Sequence, residues 1–124
     1  MGRLTFTKQQ RISTRAEFQT ILKDGKKVSD RFFRIAVIIN PNQSRPKLGI
    51  IVSKKVGAAV YRNRIKRVVR ESFRLNQNQI VSGTNLVVIA KPDSINQGYW
   101  EIEKSLIKLL DRVNGIKKNI VANR

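Results

Sequence analysis

The sequence predicts an α+β domain, with helices packed on a small sheet in the order α-β-β-α-β-α and a short extra strand near Lys26 to Ser29 that makes it α-β-β-β-α-β-α. Two observations predict it. The hydrophobic period switches between two and 3.6 residues along the chain. No linker, repeat or low-complexity block divides the 124 residues, of which 40% are hydrophobic, so residues 1–124 read as one domain with an ordered core at about 10–115.

Each element has its own signal. Thr14-Arg15-Ala16-Glu17 is a capping box, in which the Thr hydroxyl and the Glu side chain satisfy orphan amides at a helix start. Phe18, Ile21 and Leu22 then share a face, and Gly25 can end the helix. Residues 31–40 (RFFRIAVIIN) are rich in aromatic and β-branched residues and predict a strand; two prolines between Asn40 and Pro46 make the turn. A second strand is expected at Leu48 to Ser53. From about Ala58 to Leu75 the period becomes helical, with Tyr61, Ile65, Val68, Val69, Ser72 and Phe73 on one side. Residues 85–90 (NLVVIA) read as a strand buried in the sheet, and a last helix from about Tyr99 to Val113 buries Ile102, Leu106, Leu109 and Val113, with Gly115 as its stop.

Charge narrows the function. Twenty-six Lys and Arg against eight Asp and Glu give a formal +18. A folded chain this basic repels itself, which points to a polyanion that neutralises it. Nucleic acid fits best, ahead of an anionic membrane surface. The chain has no Cys for disulfide or thiolate chemistry and no His as general base or metal ligand. The N-terminal segment MGRLTFTKQQRISTR carries no apolar h-region and no stretch approaches membrane-spanning length, so a soluble, cytoplasmic protein is expected.

The informative segment is Ser53 to Arg74, SKKVGAAVYRNRIKRVVRESFR. Arg62, Lys66, Arg70 and Arg74 recur every four residues and stack along one helix, with Asn63 and Arg67 in the same arc. Like charges at this spacing cost an isolated helix about 0.2–0.5 kcal/mol per pair, which a run of phosphates would offset. Most charge runs are simply solvated faces, but one sign rarely dominates so heavily. Arginine at most of these positions suits bidentate phosphate or base contacts. Lys54 and Lys55 sit where a strand turns into this helix, near its N-terminal amides.

Protein-based hydrolysis is hard to build here. The eight acids are scattered, and the closest pair, Glu101 and Glu103, diverges around a helix whose dipole it suits. Nothing resembles a two-metal carboxylate cluster, a catalytic triad or a phosphate-cradling glycine loop, so no catalytic residue is assigned.

A strand running into Ser53-Lys54-Lys55-Val56-Gly57 and then Arg62-Asn63-Arg64-Ile65-Lys66-Arg67-Val68-Val69-Arg70 resembles the signature of the bacterial ribonuclease P protein family. The resemblance extends over about residues 10–115, including Phe18, Gly25 and the Lys47 to Ser53 strand. It implies a mixed four-stranded sheet with three helices and a left-handed β-α-β crossover, where handedness rules alone give a right-handed one. It also implies a ribonucleoprotein endonuclease whose RNA subunit carries out Mg²⁺-dependent removal of the 5′ leader from precursor tRNA, the Mg²⁺ being held mainly by that RNA. The protein, a monomer within the complex, would bind ribonuclease P RNA through Arg62, Asn63, Arg64, Lys66, Arg67 and Arg70. The leader would lie in a cleft formed by the sheet and the first helix, against Phe18, with Lys54 reaching phosphate.

The chain departs from some relatives in that cleft, with Leu22 and Ala36 where aromatic residues can stand. Strand alternation puts Phe32, Arg34, Ala36 and Ile38 on one face, so Phe32 and Arg34 are expected to replace the missing stacking surface. A base stacked on an aromatic ring contributes roughly 1–3 kcal/mol. Phe18 and Phe32 could equally be core residues. The alternative functions are a ribosomal-type structural RNA-binding protein or RNA chaperone, which needs no leader cleft, and a DNA-binding regulator, which would need a second short helix where the sequence offers a strand.

Overall fold

In the computed structural model, which describes residues 5–117, the capping pattern at Thr14 does start a helix, α1 (Arg15–Asp24). Thr14 Oγ1 accepts from the Glu17 amide at 3.1 Å, and the Gly25 amide closes the far end on the Ile21 carbonyl at 2.9 Å. Next come β1 (Lys26–Ser29), β2 (Phe33–Ile39), β3 (Lys47–Ile51), α2 (Ala59–Asn76), β4 (Thr84–Ala90) and α3 (Tyr99–Arg112). This is the expected order, short extra strand included. Residues 1–4 and 118–124 of the expected domain lie outside the described residues.

The sheet order is β1-β2-β4-β3. β2 pairs antiparallel with β1 and β4, and β3 pairs parallel with β4, so the sheet is mixed and α2 is the crossover between its two parallel strands. Register assigns the side chains to faces. One face carries Phe33, Ile35 and Val37 of β2, Leu86, Val88 and Ala90 of β4, and Leu48 of β3. These pack against Ile65, Val69 and Phe73 of α2 and Ile102, Leu106, Leu109 and Leu110 of α3. Phe33, Ile35, Ile65, Val69 and Ile102 are fully buried. Each such side chain stabilises the fold by roughly 1.5–3 kcal/mol relative to exposure.

The other face is shorter and half open. Ala36 and Val87 lie beneath Ile12 and Ile21, with Phe18, Leu22, Ile38, Ile51 and Ile89 packed around them. Both faces of β4 are therefore covered, which explains why residues 86–90 are apolar without alternation.

Three details differ from the periodicity. Tyr61, expected on the buried side of α2, is 52% exposed, because α2 starts at Ala59 beyond the edge of the sheet's core. The helix-ending left-handed residue at α3 is Asn114 (φ 62°) rather than Gly115, whose amide instead bonds the Leu110 carbonyl at 2.8 Å. Strand β2 begins at Phe33, two residues later than read, since Asp30 Oδ1 accepts from the amides of both Phe32 and Phe33 and holds that stretch as a turn.

Candidate nucleic-acid interface

Strand β3 ends at Ile51 and the chain turns through Lys54–Val56 into α2. Gly57 makes this corner: its φ of 153° is open to glycine alone, and a Cβ there would lie 2.4 Å from Ile95 Cδ1. The turn leaves Lys54 and Lys55 exposed. The first turn of α2 contains no acid, and Ala58 caps it without a side-chain acceptor, so its positive dipole end stands beside two lysines.

Around α2 the basic residues fall into three groups relative to buried Ile65 and Val69. At 100° per residue, Arg62, Lys66 and Arg70 run along one flank, next to Phe73. Asn63 and Arg67 point outward and are exposed. Arg64 lies on the opposite flank, toward α3, where its Nη2 donates to the Gln97 carbonyl at 2.7 Å. Arg74 is engaged locally: its Nε and Nη2 donate to Glu71 at 3.1 and 2.5 Å, which holds the Glu71 carboxyl below its usual range and raises Arg74 further. The Arg62 to Arg74 stripe read from the sequence thus loses its last member to an intrahelical pair. Arg62 Nε is buried without a hydrogen-bond partner.

On the other side of β3, the Phe18 ring lies directly over Gly49: a Cβ there would be 2.6 Å from Phe18 Cε1. Glycine at this position lets the ring settle on the strand backbone. Phe18 is half-buried, so it packs against the α1-side core and still presents an edge. The core expectation for it is met in part.

β3 is an edge strand, and at its edge the two sides meet. A concavity of about 180 Å³ is lined by Phe18 and Gly49 from one side, Lys66 and Arg70 of α2 from the other, and Arg11 and Phe6 from the N-terminal segment. Phe6 and Arg11 were not singled out in the sequence. They arrive because the Ile12 amide bonds the Leu48 carbonyl at 2.9 Å, docking that segment along β3, and Arg11 lies over the Phe6 ring at 5.3 Å. The only sequence signal for them is a basic residue among polar ones just before the α1 cap.

The register extends this surface. Ile51, Ile89 and Arg34 are cross-strand neighbours on the α1 face, one step beyond Gly49, Val87 and Ala36. Arg34 is exposed there, at the sheet end where β3 runs toward Lys54. Phe32 does not join them. It is half-buried against the α2 and α3 side of the sheet, with Arg31 over its ring at 5.8 Å. The alternation used to place it does not reach past the Asp30 turn, so the expectation that Phe32 supplies a stacking surface beside Arg34 is corrected.

A wider recess of about 630 Å³ lies on the other side of α1, between Ala16, Thr20, Ile38 and Asn85. Its cation, Lys47, is paired with Glu17 at 3.6 Å. Burial pushes the Glu17 carboxyl up, but donors from Ser13 and Thr14 together with Lys47 outweigh this and leave it below the ordinary value. Among the described residues, no three His, Cys, Asp or Glu side chains gather where they could hold a metal ion, and no helix is long and apolar enough to cross a membrane.

Comparison with known proteins bears on what this surface does. The family model described as Ribonuclease P matches residues 6–114. The ribonuclease P protein component of Geobacillus thermodenitrificans is 38% identical over 111 residues, spanning 90% of this chain and 92% of that protein. The one from Desulfatibacillum aliphaticivorans is 42% identical over 114 residues, spanning 92% and 96%. Among solved structures, a mutant RNase P protein from Staphylococcus aureus, described as defective in mRNA degradation activity, superposes with a TM-score of 0.81 at 35% identity, covering 89% of this chain and 92% of that one. The Thermotoga maritima RNase P protein in complex with 1-(4-fluorophenyl)-2-thiourea gives 0.76 at 34% identity, covering 83% and 99%. With its basic helix, its mixed sheet and relatives matched along nearly their whole length, the chain belongs to the bacterial ribonuclease P protein family.

Proposed function

We propose that this chain serves ribonuclease P by holding two RNAs side by side across β3. The family's role is removal of the 5′ leader from precursor tRNA by a ribonucleoprotein endonuclease, and this chain is its protein component. Ribonuclease P RNA is its partner. In our reading Arg62, Lys66 and Arg70, with Asn63, Arg64 and Arg67, bind that RNA, while Phe18, Arg34 and Lys54 line the path of the leader.

The observation that carries this reading is the concavity at the β3 edge, where Phe18 and the Lys66–Arg70 flank share one wall-to-wall space. A leader strand lying against Phe18 is then within reach of the helix that grips the catalytic RNA. Arg11 adds a cation at the same place.

The protein's part is positional. Its cations lower the repulsion between two phosphate backbones and so let the leader lie close to the RNA that holds the Mg²⁺. The protein offers no carboxylate cluster among the described residues, and we assign the Mg²⁺ to the RNA. A +18 protein resists self-association, which supports a monomer within the complex, acting in the cytoplasm.

The test is the salt dependence of binding to ribonuclease P RNA. Replacing Arg62, Lys66 and Arg70 with Ala should weaken binding and flatten the slope of log K against log salt by up to about 0.9 per lost phosphate contact. Equal slopes in variant and parent would remove this flank from the interface.

A further inference from the structure

Trp100 is the most exposed large apolar side chain described, at 72% of its full accessibility. It stands second in α3, whose core-facing residues are Ile102, Leu106, Leu109 and Leu110. The helical period turns Trp100 away from Ile102, Leu106 and Leu109. The indole is nevertheless held: it packs edge-on against Tyr99, with centroids 5.0 Å apart and planes at 90°. Tyr99 is anchored in turn, its hydroxyl donating to Glu103 Oε2 at 3.3 Å. Glu103 also accepts from Asn76 of α2 at 2.7 Å, and Arg64 of α2 reaches Gln97 three residues before Trp100. The start of α3 is thus tied to the basic helix at two points, with a preorganised aromatic face displayed beside it.

The residues that follow repeat the pattern of α2. Trp100, Lys104, Lys108 and Arg112 recur every four residues on α3, and all four are exposed. Spacing of four stacks them into one row. Glu101 and Asp111 lie near its two ends, leaving Lys104 and Lys108 as its centre. A merely solvated face accounts for the lysines but not for an exposed tryptophan at their head. A second copy of this chain is a poor occupant, because two such rows on +18 proteins would repel. An unpaired nucleotide answers both features: its base stacks on an aromatic face, and its phosphates take the cations.

We propose that Trp100 stacks on an unpaired base of the ribonuclease P RNA while Lys104, Lys108 and Arg112 follow the adjoining backbone, so that the RNA interface continues from α2 onto the outer face of α3. This rests on the reading of α2 as the RNA-binding helix. It extends that interface to a helix with no part in the basic motif.

Trp100 is the chain's one tryptophan, so its emission reports on this site alone. Bacterial ribonuclease P RNA is titrated into the wild-type protein while emission is followed. Affinities of Trp100→Ala, Trp100→Phe and Lys104→Ala/Lys108→Ala are then measured by filter retention. The expected results are quenching on binding, roughly ten-fold weaker binding for Trp100→Ala with substantial recovery in Trp100→Phe, and a shallower salt slope for the lysine pair. Trp100→Phe keeps an aromatic contact with Tyr99 and guards against misfolding of the alanine variant. Unquenched emission with unchanged affinity for Trp100→Ala, while wild type binds, overturns the inference and leaves α2 standing. Failure of the wild type to bind overturns both. A change in emission with protein concentration alone would assign the face to a second copy and overturn it as well.

Discussion

A single missing side chain decides where Phe18 lies. Gly49 is buried in β3, and the Phe18 ring occupies the space that a β-carbon would take. In Gly49→Ala the new methyl would lie 2.6 Å from the ring and 3.1 Å from Ile12 Cβ, so the ring must lift. Overpacking of this kind costs about 1–3 kcal/mol. We predict that loss in a urea melt, together with a weaker preference for precursor over mature tRNA in competition assays and little change in affinity for the catalytic RNA. Retained stability and preference would show that the ring's seat on β3 is unimportant. The glycine itself was legible as a residue, but not its purpose, because nothing in the local sequence says that a helix twenty-five or more residues earlier lies across it. Phe32 teaches the converse. Its strand pattern was sound in type and wrong in extent, because two hydrogen bonds to Asp30 keep it out of the ladder.

At the scale of elements, each helix and strand was readable where local chemistry fixes it. α1 begins where Thr14 and Glu17 say it must, and the capping pair also orients Phe18, the next residue. Thr14→Ala should cost about 1 kcal/mol, seen as a lower melting temperature and faster hydrogen exchange in α1. An unchanged melt would mean that packing of Ile21 and Phe18 alone sets the helix start. α2 was legible as a helix with a basic stripe, and its division into two flanks was not. Periodicity gives the angle of Arg64 but not the neighbour at that angle; only the position of Gln97 assigns it to the α3 side. Pairing within the sheet was less legible still. Hydrophobic runs cannot say that β3 joins β4 in parallel, and that pairing is what sets α2 and α1 on opposite faces of one edge strand.

For the whole molecule, a net charge of +18 on 124 residues is tolerable only if its repulsion is spread or answered. The fold does both. It keeps two apolar clusters on the two faces of the sheet and moves the cations to the outer surfaces of α2, α3 and the β3 edge. The arrangement suits the task of bringing polyanions together. The most direct test is cleavage of a precursor tRNA by a bacterial ribonuclease P RNA at Mg²⁺ too low for the RNA to act alone, with and without this protein, and with the protein by itself. The account predicts restored cleavage at the mature 5′ end when both are present and none from the protein alone. Tight RNA binding without restored cleavage, or cleavage by the protein alone, would contradict it.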